Sequence, residues 1–121
     1  SRVVFTGFVP QEDVPGLMKS SLAYVFPSFY EGFGMPPVEA QAVGTPVVVS
    51  SVSSLPEVVG DSGIYIDNPS DIGSIKKALE VVLSLKKSQR TAIVEAGKEN
   101  AKRFDWATSA KKLLTTLHAL A

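Results

Sequence analysis

The sequence predicts an α/β protein in which a parallel sheet of about four strands with flanking helices is followed by a purely helical part. Three observations carry this. Short apolar runs at Val3-Val4-Phe5, Ala23-Tyr24-Val25-Phe26, Pro46-Val47-Val48-Val49 and Gly63-Ile64-Tyr65-Ile66 have glycine or proline at their borders, which is how strands buried on both faces read. The segments between them are long enough for crossover helices, and such connections join parallel strands. From Asp71 onward the period changes from that of strands to that of amphipathic helices.

Each element follows in order. Val3–Phe5 reads as the first strand and is closed by Gly7; Ala23–Phe26 reads as the second and is closed by Pro27. Helices are expected at Val14–Ser20 after Asp13, at Pro36–Val43 before Gly44, and briefly at Leu55–Val59, with capping residues that agree with those limits. Past Asp71, the residues Ile72, Ile75, Leu79, Val82 and Leu83 fall on one helical stripe. A second helix fits Gln89–Arg103 with Ile93, Ala96 and Phe104 inward. A third begins after Asp105, with Trp106, Ala110, Leu113, Leu114 and Leu117 on one side. Trp106 is expected to anchor the core. Residues 1–121 therefore form one unit, with an α/β part at 1–70 and a helical part at 71–121.

Composition narrows the function. At 121 residues and 45% hydrophobic, the chain can close a modest core and is not of disordered type. No apolar run reaches the roughly 18 to 20 residues that span a bilayer, and the N-terminus lacks the layout of a signal peptide. The expected location is cytoplasmic, with peripheral attachment to a membrane as an option. The chain has no cysteine, which excludes disulfides and thiolate metal sites, and its single histidine, His118, lies on an apolar helical pattern without a second imidazole. No metal site is expected, and no nucleic-acid partner.

The segment Ser28-Phe29-Tyr30-Glu31-Gly32-Phe33-Gly34-Met35-Pro36-Pro37-Val38-Glu39-Ala40 concentrates the chemistry. Gly32 and Gly34 allow close backbone approach to a ligand, and a proline just inside a helix start leaves neighbouring amides facing outward as an anion cradle. Glu31 and Glu39 suit hydroxyl recognition, because a carboxylate accepts two hydrogen bonds from a vicinal diol and repels a diphosphate. An anion cradle beside diol acceptors suggests a nucleotide-sugar. The competing reading makes Glu31 a solvated loop acid and Glu39 a complement to the first turn of a helix through its dipole.

The run from Phe26-Pro27-Ser28 to Ala40, then Gly44-Thr45-Pro46-Val47-Val48, Ser53-Ser54-Leu55-Pro56-Glu57-Val58-Val59-Gly60 and Phe104-Asp105-Trp106, resembles the nucleotide-sugar-binding domain of the retaining glycosyltransferases of family 4, also called group 1. The resemblance implies a Rossmann-like domain, part of a two-domain GT-B architecture. It implies transfer of a hexose from a nucleoside diphosphate sugar to an unknown acceptor hydroxyl, with retention at the anomeric carbon and without a metal or other cofactor. Carried over by motif position, Glu39 resembles the residue that holds the ribose hydroxyls. Glu31 resembles the one that contacts the transferred sugar, where it would position the sugar and stabilise positive charge in the transition state. The backbone of Gly32, Phe33, Gly34 and Met35 would face sugar and phosphate, and the turn Gly7-Phe8-Val9 the nucleobase. Pro37 stands where many relatives have an N–H, so that phosphate contact is lost. Front-face and double-displacement routes both stay open, as do a related phosphorylase or synthase and a non-catalytic binding or scaffold module of the same fold.

Charge supports reading the chain as the later part of such a domain. Residues 1–70 hold 2 basic and 7 acidic side chains, whereas residues 71–121 hold 10 basic and 5 acidic. A nucleoside diphosphate carries several negative charges, while one helix N-terminus offers only about half a positive charge, and Arg2 and Lys19 are the only cations before Asp71. In the resembling enzymes a Gly-Arg loop and a lysine clamp the diphosphate. They come from an upstream segment with two further strands that sit between the equivalents of Val3–Phe5 and Ala23–Phe26. Without that segment Val3–Phe5 either pairs beside Ala23–Phe26 or sheet edges stay exposed and invite self-association. The chain alone is then expected to be inactive. The basic helices of the C-terminal part are ordinary solvated faces or, alternatively, a peripheral membrane contact.

Overall fold

The computed structural model describes residues 2–120. The order is α1 (Val14–Ser20), β1 (Tyr24–Phe26), α2 (Met35–Ala42), β2 (Val47–Ser50), α3 (Leu55–Val59), a 3-10 turn at Gly60–Ser62, β3 (Gly63–Ile66), α4 (Ile72–Ser84), α5 (Lys87–Ala101) and α6 (Trp106–Leu120). The strands form one parallel sheet in the order β1-β2-β3, with Tyr24 opposite Val47 and Val47 opposite Gly63. The expected α/β class holds, with three strands among the described residues in place of about four.

The strand expected at Val3–Phe5 is absent. Its side chains lie exposed, Phe5 at 94%, and among the described residues β1 pairs with β2 alone. A run of three apolar residues becomes a strand only where a ladder accepts its backbone groups, and β1 does not take residues 3–5 as a partner. Of the two outcomes expected for this edge, the exposed one is observed.

β2 is buried along its whole length and divides two cores. Val47 and Val49 pack with Met18, Ala40, Leu55 and Val59 under α1, α2 and α3, whereas Val48 packs with Ile64, Ile66, Ala78 and Val82 under α4. This alternation is the two-residue period of a strand covered on both faces. Ser50 follows Val48 in that alternation, and its buried hydroxyl has no hydrogen-bond partner among the described residues.

Helix limits follow local chemistry. α2 ends in a Schellman motif: Thr45 N–H donates to Ala40 O at 2.9 Å and Gly44 N–H to Gln41 O at 3.0 Å, with Gly44 left-handed at φ 85°. Asp13, expected to cap α1, makes no side-chain cap hydrogen bond. α5 lies two residues earlier than expected. Lys86 N–H donates to the Gln89 side chain at 2.9 Å, which makes Gln89 the third helical residue and not the first. The inward face also differs by one position: Gly97 is buried, packed on Gln41, and Ala96 is exposed, while Ile93 is half-buried. On α4, Ala78 and Val82 are buried, while Ile72 and Leu83 at the ends of the expected stripe are exposed. No described residue of α6 is buried, and Trp106 is 79% exposed. Trp106 is therefore not a core anchor, because α6 does not lie against either core.

A polar network fixes α2 against the rest of the domain. Gln41 donates to Ser62 Oγ at 2.7 Å and Val59 O at 3.1 Å, and Asn100 on α5 donates to Gln41 Oε1 and to Val58 O, both at 2.9 Å. Buried amides satisfied on all sides restrict a packing to one arrangement. Here the arrangement is that of the helix carrying Glu39.

Candidate functional site

The site is the β1–α2 connection and the helix it starts, at the C-terminal end of β1, where open parallel sheets bind ligands. Gly34 is the N-cap of α2 and is left-handed at φ 97°. A Cβ on it would stand 2.7 Å from Leu55 Cδ2, so only glycine lets the loop close onto α3. Gly32 differs: a Cβ there would meet nothing within 4 Å. The chain's own packing therefore requires glycine at 34 and leaves position 32 open.

α2 begins Met35-Pro36-Pro37. Prolines at its second and third positions carry no N–H, which leaves Met35 as the one amide donor among the first three helical residues. Glu39 is the fifth residue of the helix, beyond its first turn, which holds no acid. The alternative role for Glu39 as a first-turn complement to the dipole thus fails on position.

Glu39 is half-buried and lines a cavity of about 230 Å³ with Gln11, Val14, Met18 and Val43. Gln11 comes two residues after Val9, so the segment expected to meet a nucleobase leads into the cavity holding Glu39. In the turn itself Gly7 is left-handed at φ 62°, Phe8 is exposed and Val9 is half-buried.

Glu31 is also half-buried, and its surroundings are built from serines. Ser28 Oγ donates to its carboxylate Oε1 at 2.7 Å, its N–H donates to Ser53 Oγ at 3.0 Å, and the one Ser54 hydroxyl proton is shared between the Glu31 carbonyl and that of Phe33, each 2.9 Å from Oγ. Glu31 lines neither cavity. The two carboxylates nevertheless act on one group. Burial raises the Tyr24 phenol above its ordinary value, and the charges of Glu39 and then Glu31 raise it further.

Phe33 and Met35 line a second cavity of about 370 Å³ with Phe104, Asp105, Trp106 and Ser109. Phe33 meets Phe104 edge to face, ring centres 5.2 Å apart, and the Arg103 guanidinium lies 5.2 Å from the Phe104 centroid. The connection between α5 and α6 thus braces the loop. Sequence reasoning gave no role in the site to Gln11, Ser28, Ser53, Ser54 or Phe104, although all but Gln11 stand in the motifs it quotes. The repeated hydroxyls at Ser53-Ser54 before a helix start are the signal that could have assigned one.

Among the described residues no group of three or more acidic or histidine side chains could hold a metal ion, and no helix is long and apolar enough to cross a membrane.

The chain is similar to known proteins in both sequence and fold. The chain is 46% identical over 103 residues to the O-antigen chain mannosyltransferase B of Escherichia coli, a match covering 84% of the chain and 26% of that protein. It is 34% identical over 119 residues to the GDP-mannose-dependent alpha-(1-6)-phosphatidylinositol dimannoside mannosyltransferase of Mycobacterium tuberculosis, covering 97% of the chain and 30% of that protein. In structure it is similar to a sucrose-phosphate synthase from Thermosynechococcus elongatus, with a TM-score of 0.86, 28% identity, and coverage of 99% of this chain and 31% of that one. The chain thus spans about a quarter to a third of the length of these proteins. The model of the family described as glycosyl transferases group 1 matches residues 1–100, and the chain belongs to that family.

Proposed function

We propose that the chain is the donor-binding part of a longer glycosyltransferase, one that moves a hexose from a nucleoside diphosphate sugar to an acceptor hydroxyl with retention at the anomeric carbon. Mannose is the hexose favoured, since two of the similar proteins are named mannosyltransferases and one of them GDP-mannose-dependent. The observation that carries the reading is the placement of Glu31 in the loop after β1 and of Glu39 on the helix that this loop starts, both half-buried, with Glu39 opening into a cavity.

In this reading the Glu39 carboxylate accepts from the ribose hydroxyls, and the nucleobase lies toward Gly7-Phe8-Val9 and Gln11. Glu31 accepts from hydroxyls of the sugar and stabilises the positive charge that develops on it. The exposed backbone at Gly32 and Phe33 and the Met35 amide approach the sugar and phosphate. The diphosphate needs more cations than Arg2 and Lys19, the only two before Asp71, so its clamp and the acceptor site belong to the rest of the protein. The reading invokes no metal.

The test is calorimetry on the full-length protein with GDP-mannose and a panel of UDP-sugars. Glu39→Gln should weaken nucleotide binding by about 1.5 to 3 kcal/mol, the size of a charge-assisted hydrogen bond, with an unchanged melting temperature. Preference for another nucleotide-sugar would overturn mannose alone. Equal affinity in wild type and Glu39→Gln would overturn the role of Glu39, and binding without transfer would select a non-catalytic module.

A further inference from the structure

The loop carrying Glu31 is not held by its own helix but by two consecutive hydroxyls across the sheet, from the turn after β2. Ser53 Oγ accepts the Glu31 N–H at 3.0 Å, and Ser54 Oγ reaches the carbonyls of Glu31 and Phe33 at 2.9 Å each. Ser53 has φ 48° and is the only non-glycine residue with positive φ among those described. A side chain bearing a β-carbon rarely occupies this region, and it persists only where the surroundings impose it. Ser54 stands at the N-cap of α3 yet makes no cap hydrogen bond, so its hydroxyl forgoes the usual bond to the helix and serves the loop.

We propose that Ser53 and Ser54 are positioning residues for the sugar-contacting loop, fixing the backbone of Glu31 and Phe33 so that the Glu31 carboxylate is aimed before the sugar arrives. The proposal rests on the functional reading above. Both backbone polar groups of Glu31 are tied to the turn. Its carboxylate is tied separately by Ser28, whose hydroxyl donates to Oε1 at 2.7 Å and has the Tyr30 carbonyl as a longer second acceptor at 3.2 Å. Once the backbone is fixed, this bond leaves the side chain one direction. Glu39 is held independently, through α2 and the Gln41–Asn100 network. The turn therefore governs the sugar end of the donor and not the nucleoside end, which separates turnover from nucleotide affinity.

The experiment compares wild type, Ser54→Ala, Ser54→Thr and Ser53→Gly in the full-length protein, with GDP-mannose as donor and GDP as the binding probe. Glycine accepts φ 48° without strain, so Ser53→Gly removes the hydroxyl and keeps the turn. Ser54→Ala and Ser53→Gly should lower kcat by about 10- to 100-fold, as expected when a reacting group loses its aim. GDP affinity should stay within about twofold, and Ser54→Thr, which keeps the hydroxyl, should restore kcat. Unchanged kcat in Ser54→Ala would overturn the positioning role. So would a parallel loss of GDP affinity and melting temperature, which marks a merely structural contact. A wild type that transfers no sugar would overturn the functional reading itself, and the role of the turn with it.

Discussion

Gly32 and Gly34 stand two residues apart in one loop and do different physical work. Gly34 combines a left-handed φ of 97° with a contact that puts an added Cβ 2.7 Å from the buried Leu55 side chain. Gly34→Ala should therefore destabilise the domain by about 1 to 3 kcal/mol from backbone strain, with the clash adding to it. Gly32 has open space and no positive φ, so Gly32→Ala should stay within about 0.5 kcal/mol of wild type while lowering affinity for the nucleotide-sugar. Urea midpoints and calorimetry of the two variants check this; equal stability losses would refute the distinction. The pair shows what was legible at this scale. The motif marks both glycines, but whether a glycine faces a ligand or a leucine 21 positions further along depends on how α3 packs. The same holds for Ser53 and Ser54, whose spacing from Glu31 carries no trace of their contact with it.

At the scale of elements, helices announce themselves in the sequence more reliably than their partners do. α1 and α3 stand at their expected limits, and the apolar pattern of α6 is present as read. A stripe such as Trp106, Leu113 and Leu117 shows that a face can be covered, and it holds no information on what covers it, which is why Trp106 was misread as core. The start of α6 is set by Asp105, whose carboxylate is held below its ordinary value by the Thr108 side chain and backbone N–H, the latter at 2.8 Å. A carboxylate lowered in the folded state contributes stability that is complete above the unfolded value, about 3.9, and is lost as pH falls through the lowered one. α6 should thus fray from its N-terminus on acidification through that window. Asparagine caps without titrating, so Asp105→Asn should remove this acid-dependent step from the far-UV circular dichroism. Superimposable acid profiles of the two proteins would refute the assignment.

For the whole molecule the decisive facts are an outer edge of β1 to which residues 3–5 do not add, and a terminal helix with no buried residue among those described. Trp106, Leu113, Leu114 and Leu117 are all more than half exposed, as are Val4, Phe5 and Phe8 at the other end of the chain. Contiguous apolar surface and an open strand edge both favour association, and proteins three to four times longer, such as those matched at 26% and 31% of their length, have further chain with which to cover such faces. The 121-residue chain by itself should therefore self-associate, with a weight-average mass in sedimentation velocity that rises with concentration. The α6 face is the stronger cause, because pairing two helical stripes removes whole leucine side chains from water at about 25 cal/mol per Å², whereas a three-residue edge offers few hydrogen bonds. Leu113→Lys combined with Leu117→Lys should then restore a monomer without changing the sheet, since neither residue touches a core. Val4→Lys combined with Phe5→Lys should have the smaller effect. A wild-type chain that remains monomeric at all concentrations would show that these faces do not drive association, and a larger effect from the Val4 and Phe5 variant would move the cause from α6 to the N-terminal segment.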